Sequence, residues 1–187
     1  MEFEEDQAEI MGRLAPYLTR MYPLFPAALD LYNAEYSARV RAEHDDRAAA
    51  AGIWCHLHKG FVREFGEEPG FHFLEVNGLY VLNIRDRLAI RWKKVNANGR
   101  HRNANTKQQR DFDRQRDLPE IPRAASRLVM GYQPDAAMAA IERVTVRRPR
   151  GLWVSQIVEE GETCAWIDIT PEDLFFRPGR RRRSADG

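Results

Sequence analysis

The stretch 71–94, FHFLEVNGLYVLNIRDRLAIRWKK, decides the architecture. FHFLEV and LYVLNI flank Asn77-Gly78, a dipeptide suited to the positive-φ positions of a two-residue hairpin turn, so the segment reads as strand, turn, strand. Arg85-Asp86 turns the chain again into a third strand, RLAIRWKKV. Alternation along it sends Leu88, Ile90 and Trp92 to one face and Arg87, Ala89, Arg91 and Lys93 to the other.

Upstream of this stretch the apolar period is helical. Ile10, Met11, Leu14, Tyr17, Leu18 and Met21 predict a first helix, which Pro16 is expected to kink or divide. Pro26 opens a second, with Leu29, Tyr32, Tyr36 and Val40 on one face. Asp46 is the candidate N-cap of a third, running from about 47 to 65, with Ile53, Trp54, Leu57, Phe61 and Phe65 on one face. Downstream, RLVMGY (127–132), AIERVTV (140–146), LWVSQIV (152–158) and TCAWIDI (163–169) read as further strands. Helices first, then strands, with no strand–helix alternation, predict an α+β fold: N-terminal helices followed by an antiparallel β-meander of six or seven short strands. The expected organisation is a single domain over 1–176. An acidic helical part covers 1–66, and a mainly antiparallel β part covers 71–169. A long basic loop spans 96–125, and a disordered basic tail follows over 177–187. Within the loop, 106–116 has the composition of a short helix.

The chain has 187 residues, 43 % of them hydrophobic, which excludes wholesale disorder. No run approaches the ~20 apolar residues of a membrane span. The N-terminus MEFEEDQAEI is acidic where a signal peptide is basic and then apolar, so the expectation is a cytoplasmic protein without membrane contact. Cys55 and Cys164 lack paired spacing, which argues against a disulfide framework. The formal net charge of +1 conceals an uneven distribution. Residues 1–46 carry a net −6, 47–84 a net −1, and 85–116 a net +8.

Four patterns bear on chemistry. Cys55, His56 and His58 are metal-binding residue types, but on a helix His56 and His58 diverge by roughly 200° at 100° per residue, so no metal site is expected. Glu64, the hairpin and Arg91-Trp92-Lys93 follow the outline of a metal-dependent nuclease, yet Arg91 occupies the place of a carboxylate and Asn83 or Asp86 fits the remaining one poorly. A metal-independent ribonuclease needs only a sheet face of bases; Arg87, Arg91, Lys93, His101 and Arg102 satisfy that composition. No Gly-rich phosphate loop, GxSxG or EF-hand is present, and no cofactor is expected.

The basic middle carries the functional expectation. A strand with bases at alternate positions, followed by an Asn/Gln/Arg-rich loop, suits phosphate neutralisation with polar edge contacts. The expected contact face is Arg87, Arg91, Lys93 and Lys94 with Arg100, Arg102, Asn103, Asn105, Thr106 and Gln108. Nucleic acid is one partner of fitting chemistry, and an acidic protein surface, in a non-enzymatic interaction protein, is the other.

Arg91-Trp92-Lys93-Lys94, Asn103 through Gln115, Leu118-Pro119-Glu120-Ile121-Pro122 and Arg127 to Tyr132 carry a further likeness. They resemble a family of small bacterial and phage proteins in which a basic R-[FW]-K-K strand precedes N-x-x-T-x-Q-x-x-x-F-D-x-Q, L-P-x-[IL]-P and R-L-x-x-G-Y. The resemblance covers roughly seventy residues, from LAIRWKKV (88–95) through IERVTVRRPRGLWVSQI (141–157). It implies a toxin-like or phage-defence role beside a helix-turn-helix regulator with a metallopeptidase domain, and assigns no catalytic residue.

Overall fold

The computed structural model describes residues 7–76, 78–96, 107–114, 118–149, 151 and 153–171, apart from the side chains of Gln108 and Gln109. Four helices come first: α1 (Gln7–Met21), α2 (Leu24–Glu35), α3 (Ala38–Glu43) and α4 (Asp46–Phe65). A seven-stranded sheet follows: β1 (Phe71–Val76), β2 (Leu79–Ile84), β3 (Leu88–Lys94), β4 (Ser126–Pro134), β5 (Ile141–Arg147), β6 (Ser155–Glu160) and β7 (Thr163–Asp168). A short helix, α5 (Lys107–Asp113), lies between β3 and β4. The fold is α+β, with a mostly antiparallel sheet.

Local chemistry explains the element boundaries. Pro16 does not divide α1, which runs unbroken from Gln7 to Met21. It sits on the exposed side with Gly12, whose carbonyl loses its helical donor to proline but stays in reach of water. The opposite side buries Ile10, Met11, Leu14, Leu18 and Met21, enough apolar surface to offset the local cost. The second expected helix stops at Glu35, because Tyr36 is extended and the Ser37 hydroxyl accepts from Val40 N–H to start α3. The α4 cap is Asp45, one residue before the expected Asp46; its carboxylate accepts from Arg47 N–H at 3.0 Å and Ala48 N–H at 2.7 Å. Between β2 and β3, Arg85 and Asp86 take φ of +50° and +56°, and Arg87 N–H donates to the Ile84 carbonyl. This is the mirror-image turn that tight hairpins prefer, and Asn83 Nδ2 donates to Asp86 Oδ1 at 2.6 Å across it.

The strands lie in the sheet in sequence order, with five antiparallel junctions given by residue register and one parallel junction, β3 against β4. The sequence reading contained no parallel step. Its physical cause is the connection 95–125: parallel neighbours need a crossover of a dozen or more residues, and this one crosses a sheet face carrying α5. The expected basic loop is therefore that crossover.

The sheet is covered on both faces. One face packs Phe71, Leu82, Ile84, Leu88, Ile90, Trp92, Leu128, Met130 and Tyr132 against the apolar sides of α1, α2 and α4. Trp92 lies parallel to Phe61, with ring centroids 4.4 Å apart. On the other face Val76, Leu79, Val81, Ala89 and Val129 meet Phe112, Leu118, Ile121 and Ala125 of the crossover. Strand β3, an interior strand, is buried on both sides over most of its length.

A basic crossover and the residues beneath it

The alternation of β3 delivers Arg91 and Lys93 to the crossover side of the sheet, where Arg91 is buried under α5 and Lys93 stays partly exposed. Arg91 is only 4 % exposed, with its guanidinium carbon 5.1 Å from the centre of the Phe112 ring. Arg127, on β4 and 3 % exposed, approaches the same ring to 6.0 Å and donates to the Asp111 carbonyl at 3.2 Å. Phe112 is thus held between two buried guanidinium groups, a cation–π arrangement strengthened by desolvation. Burial pulls the Arg91 pKa down to about 10, against the opposing charge of Asp113. Burial likewise lowers Lys93 to about 8; Arg91 adds to that shift and Asp113 opposes it.

The remaining expected contact residues separate. Lys94 points to the helical side, where its Nζ lies 3.4 Å from Asp46 at the start of α4. Arg87 is exposed in the turn before β3, about 20 Å along the strand from Lys93 at 3.3 Å per residue. Gln108 lies on α5. Arg100, Arg102, Asn103, Asn105 and Thr106, with His101, lie outside the described residues. Of the ten, the structure brings Arg91 and Lys93 together on one face and puts Lys94 on the other.

Helix α5 contributes what the strand does not. Lys107, Arg110 and Arg114 are exposed, whereas Asp111 and Phe112 are buried and Asp113 is half-buried. Arg114 N–H donates to the Arg110 carbonyl, so the helical path continues through it. Spacing of three and four residues puts the three bases on one side of the helix. Lys107 also reaches Asp111 Oδ2 at 3.3 Å while remaining 81 % exposed. The sequence carried the signal for this ridge: bases three and four apart, bracketing a lone phenylalanine. Its direction depended on which side Phe112 buries.

The nuclease and metal patterns come apart in three dimensions. Glu64 lies on α4, held by Arg20 Nε at 2.6 Å, on the opposite side of the sheet from Lys93. Asn83 and Asp86 bond each other in the turn. Among the described residues no three His, Cys, Asp or Glu side chains gather as a metal site. His56 faces Glu35 at 3.2 Å. His58 instead sits among aromatic rings: parallel to Trp54 with centroids 5.1 Å apart, and near Tyr80, Trp92 and Phe73 at 5.0, 5.8 and 6.1 Å.

Burial lowers the His58 pKa below its ordinary 6.5, with Glu75 opposing, and its buried Nδ1 makes no hydrogen bond. The unfolded chain therefore binds this proton more readily than the folded one. Stability from neutral His58 is fully present above about 6.5 and is lost as pH falls below it toward the folded value. Thermal melts of wild type and His58→Phe between pH 7.5 and 5 test this: the wild type is expected to lose more, and equal losses would refute it.

Among the described residues no helix is long and apolar enough to cross a membrane. No family model matches the chain, and neither a curated protein nor a solved structure matches it.

Proposed function

We propose that this protein binds nucleic acid through the exposed side of α5, with Lys107, Arg110 and Arg114 contacting phosphates and Lys93 at the margin of the same surface. The sorting of charge on α5 supports this reading: bases face water and Asp111 is turned inward. A merely solvated helix has no need to segregate the two signs. Phosphate contacts position a protein on a nucleic acid without reading sequence, and a row of exposed cations supplies them. The resemblance carried by residues 91–94, 103–115, 118–122 and 127–132 supports a toxin-like or phage-defence role, in the cytoplasm and beside a helix-turn-helix regulator.

A mobility-shift series with DNA and RNA at increasing salt tests the contact. Each phosphate contact adds about 0.9 to the slope of log K against log salt on duplex DNA, and about 0.7 on a single strand. The triple variant K107A/R110A/R114A is expected to flatten the slope by about 2–3 on that scale and weaken binding at every sequence alike. Absence of binding by wild type at about 50 mM salt would defeat the proposal; at that ionic strength non-specific phosphate contacts are strong. Recovery of an acidic protein by the same surface would then favour the non-enzymatic interaction protein. Growth arrest on expression, relieved in the triple variant, tests the toxin-like role.

A further inference from the structure

The two edges of the sheet are finished differently. At one end β7 is closed in part by α1: the Thr19 hydroxyl accepts from Cys164 N–H at 3.0 Å, on the side of β7 away from β6. At the other end β1 pairs with β2 alone. Arg85 N–H donates to the Gly70 carbonyl, which turns Gly70 toward β2, and by alternation His72, Leu74 and Val76 turn their backbone groups the same way. Phe71, Phe73 and Glu75 turn theirs outward. Phe71 N–H is engaged by the Glu68 carbonyl at 3.0 Å. The backbone N–H and C=O of Phe73 and Glu75 have no partner among the described residues.

Edge strands are ordinarily blunted by lysine, proline, a bulge or a covering element. Strand β1 has none of the first three: it reads FHFLEV, and its register with β2 runs unbroken from Phe71 to Val76. Its one acid, Glu75, accepts a hydrogen bond from Tyr80, the residue opposite it on β2. Phe73 and Leu74 are half-buried, Phe73 toward the helical layer and Leu74 toward the crossover. Val62 lies four residues beyond His58, which faces Phe73, and is 41 % exposed on that side of α4.

We propose that β1 pairs with β1 of a second copy of this chain, antiparallel about a two-fold axis at Leu74. The free backbone groups set this register. With Leu74 opposite Leu74 of the partner subunit, Phe73 stands opposite Glu75 of the partner subunit, and Glu75 opposite the partner's Phe73. Each of these pairs exchanges both N–H···O bonds, which uses every outward group of the two residues in both copies. A register centred on Phe73 would set Phe71 against Glu75, and Phe71 N–H already serves Glu68. Leu74 meets its counterpart at a closely spaced, non-hydrogen-bonded position, and no like charges oppose each other, because His72 falls opposite Val76. The edge is thus complementary to itself, as a two-fold contact requires, and this favours a second copy over a strand of another protein. The axis stands perpendicular to the sheet, so both crossover faces lie on one side. The pairing does not depend on what α5 binds.

Sedimentation equilibrium of the full chain, from micromolar to sub-millimolar concentration, is expected to show monomer and dimer in exchange. Proline is tolerated on an edge strand where its N–H would face away from the neighbour, so Glu75→Pro takes away an outward donor and no bond to β2. It is expected to weaken the dimer about tenfold or more, with the circular dichroism unchanged. Glu75→Ala, which also loses the bond to Tyr80 but keeps the N–H, is expected to dimerise like wild type. Cysteine crosslinking checks the register without relying on the proline variant. In a chain carrying Cys55→Ser and Cys164→Ser, Leu74→Cys brings two Cα atoms to about 4.5 Å, within disulfide reach, and is expected to give a covalent dimer on mild oxidation. His72→Cys, offset from its counterpart by about 13 Å along the strand at 3.3 Å per residue, is expected not to. A wild type that is monomeric throughout overturns the inference and leaves the edge to a strand of another protein. A dimer that withstands Glu75→Pro, or that crosslinks through His72→Cys and not Leu74→Cys, overturns it as well.

Discussion

Phe112→Ala is expected to cost about 3–5 kcal/mol of stability, the range for emptying a buried aromatic site. The ring is fully buried between Arg91 and Arg127 and anchors α5 to Val81, Ala89 and Val129. Its removal takes away the apolar contact and leaves two desolvated guanidinium groups without the ring they share. The loss is expected to be local. Strands β3 and β4 pair directly with each other, so the sheet persists when the crossover lifts. Hydrogen exchange gives the readout: faster exchange at 107–114 and 118–125, with protection kept in β3 and β4. A loss below about 1 kcal/mol in urea, within the range of ordinary surface changes, would show that α5 is not held by this ring. Since the proposed phosphate contacts ride on α5, the variant should also weaken nucleic-acid binding without altering any base.

Trp92→Ala is expected to be as costly, about 3–5 kcal/mol, and global rather than local. Trp92 is 2 % exposed, in the interior strand β3, parallel to Phe61 of α4 and next to His58. It ties the helical layer to an interior strand of the sheet, in the core that α1, α2 and α4 share with it. Its indole Nε1 is buried and makes no hydrogen bond, so part of its packing gain is offset by an unsatisfied donor. Trp92→Phe is therefore expected to cost far less than alanine, because it removes that donor and keeps a stacking ring. Chemical denaturation of both variants checks the order. A phenylalanine variant as unstable as the alanine one would mean that shape alone, and not the orphaned N–H, sets the energy there.

These two positions mark the two sides of one strand, and they show how much of the molecule was legible beforehand. The alternation in LAIRWKK correctly separated Trp92 from Arg91. It did not say what covers the arginine side, because period two distinguishes two faces and not a wet one from a dry one. The amphipathic periods of α1 and α4, the hairpin of β1 and β2 and the turn at Arg85-Asp86 are local features, set by φ preferences and side-chain spacing within a few residues. They were readable for that reason. The parallel junction was not, since antiparallel and parallel neighbours draw on the same strand-forming residues and differ only in the path of the connection.

The candidate surface divides in the same way. The concentration of base in 85–116 is a property of the sequence, and so is the three-and-four spacing of Lys107, Arg110 and Arg114. By itself the chain determined the order of elements, the α+β class and the region where positive charge collects. Only the tertiary structure decided which cations meet solvent. The crossover folds back over β3, and Phe112 draws Arg91 and Arg127 out of water. Packing of one aromatic ring thus transfers the exposed charge from the strand to the helix, because a guanidinium buried beneath a ring cannot also face a phosphate.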